Sequence, residues 1–182
     1  QKFDVTFTGA TAHAGVNPEE GKNALLAAAT AVLNLYAIPR HGSGATRINV
    51  GRLDAGVGRN VICPTAHLVA ETRGDTTALS DYMYERAIRV VEAAGAMYGC
   101  DVLVTRMGGA QSATSDAELA RRVEQVASAM GGFTFFPARK RSGSEDYTYM
   151  MERVQQRGGL ATNVGLGADL HGVGFAATQG RE

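Results

Sequence analysis

The order of amphipathic segments over residues 1–108 most constrains the fold of this 182-residue chain. Residues 2–8 (KFDVTFT) alternate apolar and polar side chains, which predicts a half-buried strand. The same period recurs in TRINVGRL, AHLVAETR and DVLVTRM, and the intervening segments have helical periodicity. The predicted order is strand, helix, strand, strand, helix, strand. A four-stranded antiparallel sheet with two helices on one face would cover every apolar face, so we predict an α+β, ferredoxin-like βαββαβ domain.

The first helix has a marked start in the sequence. Asn17 is a favourable N-cap, Pro18 suits the first helical position, and a helix from there should end near Ala37. The second helix is predicted to begin at Asp75 or Thr76. The apolar stripe predicted for the first helix consists of Leu25, Ala29, Val32, Leu33 and Tyr36.

The chain changes character after residue 108. The segment GGAQSATSD (108–116) is small and polar, as expected for a linker. Ser115 and Glu118 have capping-box spacing and predict a third helix from about Asp116. A further helix is predicted in SGSEDYTYMMERVQQRGG, between short strands in FTFFPARK and LATNVGLG. We therefore predict two parts, residues 1–108 and part of an α/β domain at 109–182.

Composition narrows the class of partner. Eighteen basic residues balance 18 acidic ones, so no global field favours nucleic acid or an anionic membrane. No apolar run approaches the roughly 20 residues of a membrane helix. The two cysteines have no metal-binding spacing, so we expect free thiols, a cytoplasmic protein and a small-molecule partner.

Two histidines are candidate functional residues. His13 lies among small residues in GATAHAGV, which leave its ring free to reach outward. It could be a general acid or base, an oxyanion donor or a metal ligand, or simply a solvated loop residue. His171 follows the predicted LATNVGLG strand, and ligands of open α/β sheets bind at strand ends. A structural role for His171 is equally consistent with the sequence.

Two polar residues flank the third predicted strand. Asn60 lies in the glycine-rich loop GVGRNVICP, where it could donate to a ligand or simply form a turn. Arg73, at the end of the strand, could bind a carboxylate through two hydrogen bonds or be solvated.

Neighbouring carboxylates give no clear catalytic signal. Glu19 and Glu20 fit the first turn of a helix, where the helix dipole favours anions, and we reject a catalytic role for them. Glu145 and Asp146 could cap a helix or reach into a cleft. The sequence contains no GxSxG, Walker, HExxH or CxxC motif, so local motifs alone specify no mechanism.

Longer motifs carry a family resemblance. The segments GATAHAGVNPEEGKNALLAAATAVLNL, RINVGRLDAGVGRNVICPTAHLVAETRG and GSEDYTYMMERVQQRGG, in this order, resemble the dinuclear-zinc aminoacylase and carboxypeptidase family. The similarity is greatest to its amidohydrolases of the aminobenzoyl-glutamate type. The resemblance implies a lid and dimerisation domain of the βαββαβ kind, and a catalytic α/β domain that holds two zinc ions. It also implies cleavage of an amide bond in an aminobenzoyl-glutamate or N-acyl amino acid substrate.

The resemblance also implies residue roles. His13 would reach from the lid of one protomer of a homodimer into the active site of the other and stabilise the tetrahedral intermediate. Asn60 and Arg73 would hold the carboxylate and amide portion of the substrate. His171 would be a zinc ligand, although the residues after it (GVGFAATQGRE) depart from the family pattern.

Other family motifs are missing from this sequence. The HxD motif, the bridging aspartate and the Glu-Glu pair of the family precede the lid, whereas this sequence starts at the first lid strand. A catalytic zinc ordinarily has three protein ligands, so we expect this chain to be inactive by itself. The alternative is a noncatalytic ferredoxin-like module for dimerisation or ligand binding.

Overall fold

A computed structural model describes residues 1–136 and 145–167 and shows a four-stranded sheet with strand order β2-β3-β1-β4. All three strand pairs are antiparallel, and α1 and α2 both pack on one face of the sheet. The predicted βαββαβ fold is confirmed. The elements are β1 (Lys2–Thr8), α1 (Ala24–Tyr36), β2 (Thr46–Ala55), β3 (Thr65–Gly74), α2 (Thr77–Met97), β4 (Asp101–Gly108), α3 (Ala117–Met130) and α4 (Tyr147–Gln156).

The core lies between the sheet and the two helices. Phe3, Val5 and Phe7 of the central strand β1 point toward the helices and are at most 1% exposed. Leu68 of β3 is fully buried beside them, and the Phe3 ring meets Tyr84 of α2 edge to face at 5.5 Å. The period-two prediction for β1 is therefore correct, because a half-buried strand must send alternate side chains into the core.

The predicted start of α1 is wrong. Residues 18–20 form a separate 3₁₀ turn, and Asn17 makes no capping hydrogen bond through its side chain. Lys22 instead pairs with Ala10 through two backbone hydrogen bonds of 2.9 and 3.0 Å, which hold this stretch out of a helical conformation. The helix begins after Asn23, whose Oδ1 accepts the N–H groups of Leu25 and Leu26.

The predicted apolar stripe of α1 is also wrong. Leu33 and Tyr36 are 74% and 53% exposed, and the larger side chains lie away from the core. Small side chains let α1 pack closely against the sheet and α2, so alanines form the contact. Tyr36 instead covers part of strand β2, because its hydroxyl accepts the Val50 N–H and donates to Asn49 Oδ1. The buried residues of α1 are Ala24, Ala27, Ala28, Ala31 and Leu35.

The second helix follows its prediction closely. Thr76 is its N-cap, with its hydroxyl oxygen accepting the Leu79 N–H at 3.2 Å. Met83, Ala87 and Val91 are buried at the predicted spacing.

Asp116 connects the ends of α3 and α4. The predicted capping box is not formed, since Glu118 pairs with Arg122 one turn later. The Asp116 carboxylate instead accepts hydrogen bonds from Ala161 N–H at 2.7 Å and from the Gln155 amide at 2.9 Å. These two hydrogen bonds lower the pKa of the Asp116 carboxyl.

The strands predicted after residue 108 are not observed in the described residues. Residues 133–136 and 160–167 are not in strands, because a strand needs a partner and the described residues provide none for them. Residues 137–140 of the first segment and His171 lie outside the described residues. Asp146 is at the N-cap of α4 without a side-chain capping bond, and the Glu145 carbonyl accepts the Thr148 hydroxyl.

We expect Met83→Ala to lower the free energy of unfolding by about 2–5 kcal/mol, because it removes buried volume without a replacement. Met83 is 2% exposed, whereas Met97 on the same helix is 69% exposed. Urea denaturation of the chain would measure the change. Met97→Ala is the matched control and should stay within about 0.5 kcal/mol of the unsubstituted chain. Equal effects of the two substitutions would contradict the assigned core face of α2.

Candidate functional site

The His13 loop is held against the β2–β3 connection by backbone hydrogen bonds. The N–H of Ile62 donates to the carbonyl of Ala12 at 2.9 Å, and the N–H of Ala14 donates to that of Asn60 at 3.0 Å. His13 and Val61 form the isolated bridge between them. The fold thus brings together two candidate residues that are 47 positions apart.

The His13 ring is oriented by its own loop. Its Nδ1 accepts the Gly15 N–H at 3.1 Å, so the neutral ring carries its proton on Nε2. The Asn60 side-chain amide lies 3.4 Å from Nε2 and satisfies that proton when its oxygen faces the ring. Both side chains are exposed. The pair therefore presents an N–H donor and an amide toward whatever approaches this loop.

The base of the loop has room only for a glycine. A Cβ at Gly9 would lie 2.0 Å from the carbonyl oxygen of Lys22. The Gly9 N–H also donates to the Pro64 carbonyl at 2.7 Å. This close backbone contact fixes the start of the loop relative to β3 and explains one of the small residues near His13.

Arg73 lies in a different part of the sheet. Its Nε and one terminal nitrogen donate to the Glu71 carboxylate at 2.8 and 3.2 Å. The hydrogen bond to Glu71 raises the pKa of the Arg73 guanidinium, so Arg73 stays charged. Arg73 borders a cavity of about 220 Å³, whose lining residues are Arg47, Ile48, Asn49, Glu71 and Arg73.

One chain does not bring Arg73 to the His13–Asn60 pair. Asn60 precedes the first residue of β3, Thr65, whereas Arg73 is close to the last residue of that strand. Eight residue steps of about 3.4 Å place the two ends of β3 about 27 Å apart. A small substrate cannot contact both ends within one chain. Sequence reasoning also missed Arg47 and Asn49 in the cavity, although their period-two spacing in TRINV places both on one strand face.

The described residues show no metal centre. Across residues 1–136 and 145–167, no three histidine, cysteine or acidic side chains come together to hold a metal ion. Cys63 and Cys100 are both buried free thiols, and burial raises the pKa of the Cys100 thiol. In the described part of the chain, no helix combines the length and apolarity needed to cross a membrane.

The sequence profile of the peptidase dimerisation domain matches residues 1–94, which include β1 through most of α2. The match covers the loops of both His13 and Asn60. This chain belongs to the peptidase dimerisation domain family. The expected resemblance is confirmed at the level of the family.

Similar proteins include two hydrolases. Indole-3-acetyl-aspartic acid hydrolase of Enterobacter agglomerans is 47% identical over 93% of this chain. A p-aminobenzoyl-glutamate hydrolase polypeptide of Escherichia coli is 43% identical over 93% of it. In both cases the chain spans 39% of the relative. The crystal structure of an aminobenzoyl-glutamate utilization protein from Klebsiella pneumoniae matches 88% of this chain and 42% of its own, with 47% identity and a TM-score of 0.82.

We expect neutral His13 to carry its proton on Nε2, because the Gly15 N–H already occupies Nδ1. Nitrogen-15 chemical shifts of the ring, measured above its titration, would distinguish the two tautomers. Asn60→Ala is the control and should leave the Nε2–H form dominant, since the backbone of residue 15 sets it. A dominant Nδ1–H form in the unsubstituted chain would contradict this geometry.

Proposed function

We propose that this chain is the lid and C-terminal part of a zinc-dependent amidohydrolase, which cleaves the amide bond of aminobenzoyl-glutamate or another N-acyl amino acid. The observation that carries the proposal is the backbone-held, exposed pair of His13 and Asn60. Its relatives at 47% and 43% identity are named as hydrolases of an acyl-aspartate and an acyl-glutamate. Residues 1–108 would be the lid, and 109–182 would belong to the catalytic domain.

His13 would act on the transition state of amide hydrolysis. Attack on the carbonyl carbon places negative charge on its oxygen, and a fixed N–H donor stabilises that charge more than it stabilises the neutral carbonyl. The Nε2–H of His13 is such a donor, since Gly15 fixes the ring and its tautomer. Asn60 would hold the donor in place until substrate arrives and then bind the amide portion of the substrate.

A homodimer would complete the site. Strand β2 is an edge strand of ten residues, and edges of this length are templates for strand pairing. Two-fold antiparallel pairing of β2 with β2 places the Arg73 end of one sheet beside the His13 end of the other. The two β3 strands would then be three spacings apart, about 14 Å. That gap suits a small substrate held by Arg73 of one protomer and by His13 of the other.

The described residues do not fit a zinc centre by themselves, so the mechanism given for this chain has no step through the metal. Zinc would supply the activated water of the intact enzyme, and metal analysis of that enzyme tests this. His171 as a zinc ligand and the inactivity of the isolated chain follow from the resemblance and remain predictions. A cytoplasmic location is proposed on the same grounds.

In the intact hydrolase, His13→Ala should lower kcat by about 10²–10³-fold, as expected on removal of one oxyanion donor. Steady-state kinetics with aminobenzoyl-glutamate would measure the loss. His41→Ala is the matched control. The His41 Nδ1 also accepts a backbone N–H two residues later, from Ser43 at 3.1 Å, but its ring packs against Tyr82. Unchanged kcat in the His13 variant would contradict the proposed role.

A mixing experiment tests the shared site. Arg73→Ala and His13→Ala enzymes should each be nearly inactive alone, because each removes one half of every site. After dissociation and reassociation together, mixed dimers carry one site with both residues, so activity should rise toward about a quarter of wild type. Arg52→Ala mixed with His13→Ala is the control for dilution by an active partner. Absence of any recovery in mixed dimers would contradict a site built from two chains.

A further inference from the structure

Two arginines lie directly opposite each other on the sheet. Arg47 of β2 and Arg73 of β3 are Cα partners in the antiparallel ladder, so their side chains leave the same face. That face is the one not covered by α1 and α2, since the neighbouring Thr72 is fully buried on the other. Like charges directly opposite each other destabilise a sheet. Their presence on one cavity wall is therefore a feature that a bound anion would relieve.

The charges in the cavity do not cancel. The bidentate ion pair with Glu71 balances the charge of Arg73. Among residues 1–136 and 145–167, no carboxylate lies within ion-pair distance of Arg47. Asn49, two residues along the same strand face, adds an amide across from Glu71. The lining thus has one uncompensated positive charge beside a neutral hydrogen-bonding group.

We propose that Arg47, with Asn49, binds the side-chain carboxylate of an acidic amino acid, while Arg73 binds its main-chain carboxylate. This inference rests on the proposed function and specifies the substrate class of the same site. The carboxyl groups are separated by two carbons in aspartate and three in glutamate. Directly opposed residues on a sheet are about 4.5–5.5 Å apart at Cβ, so adjacent arginines match two carboxylates at that spacing. Planar guanidinium groups suit both carboxylates.

Arg47 would determine specificity rather than hold the sheet together. Its side chain is exposed, and no hydrogen bond to another described side chain is formed by it. Replacing it should therefore leave the fold intact and change only how the cavity receives an anion. A purely structural arginine would affect all substrates to the same extent.

The test compares an N-acyl-glutamate with the matching N-acyl-glutamine, which has the same shape but no side-chain charge. In the intact hydrolase, wild type should prefer the glutamate substrate. Arg47→Gln should lower the ratio of kcat/KM for glutamate over glutamine by about tenfold to a hundredfold, mainly through KM, because one charged hydrogen bond is lost. Activity on the glutamine substrate should be unchanged, and Arg47→Lys should restore part of the ratio.

Arg52→Gln is the matched control, since Arg52 lies on the same strand and is paired with Asp54 away from the cavity. It should leave the ratio unchanged. An unchanged ratio in Arg47→Gln, an equal loss on both substrates, or a wild type without preference would overturn this inference while the proposed function stands. Hydrolysis of neither substrate by wild type would overturn the proposed function itself.

Discussion

The burial of one face of β1 is the constraint on which the rest of the structure depends. Phe3, Val5 and Phe7 are almost fully buried against both helices, and β1 lies between β3 and β4 in the sheet. A slip of one residue in β1 would turn these three side chains toward solvent. The register of β1 therefore fixes that of both neighbours. Since β3 carries functional candidates at both ends, the same register sets where they lie.

The two ends of β3 have different chemistry. At the start of the strand, backbone hydrogen bonds hold an imidazole and an amide together at the surface. At its end, Arg73 is oriented by Glu71 and borders a shallow cationic cavity. Because a strand of this length is nearly rigid, the separation cannot close within one chain. The length of β3 is thus the physical reason why the proposed site needs two copies.

Sequence patterns were reliable where local physics decides. The period-two strands and the Thr76 start of α2 were predicted correctly, since each depends on neighbours within a few residues. The start of α1 was predicted wrongly because the long-range pairing of Lys22 with Ala10 overrides the good cap at Asn17. The stripe of α1 was predicted wrongly because close packing selects alanine over leucine at the contact. No local pattern shows which face has the smaller gap to fill.

The sequence by itself determined the βαββαβ order, the family resemblance and three of the candidate residues in the described part: His13, Asn60 and Arg73. Only the tertiary structure decided how they group. It joined His13 to Asn60 through backbone pairing, separated both from Arg73 by the length of β3, and set Arg47 opposite Arg73. Composition and periodicity record which face a side chain takes. The register between distant strands decides which side chains become neighbours, and that register follows from burial of the whole core.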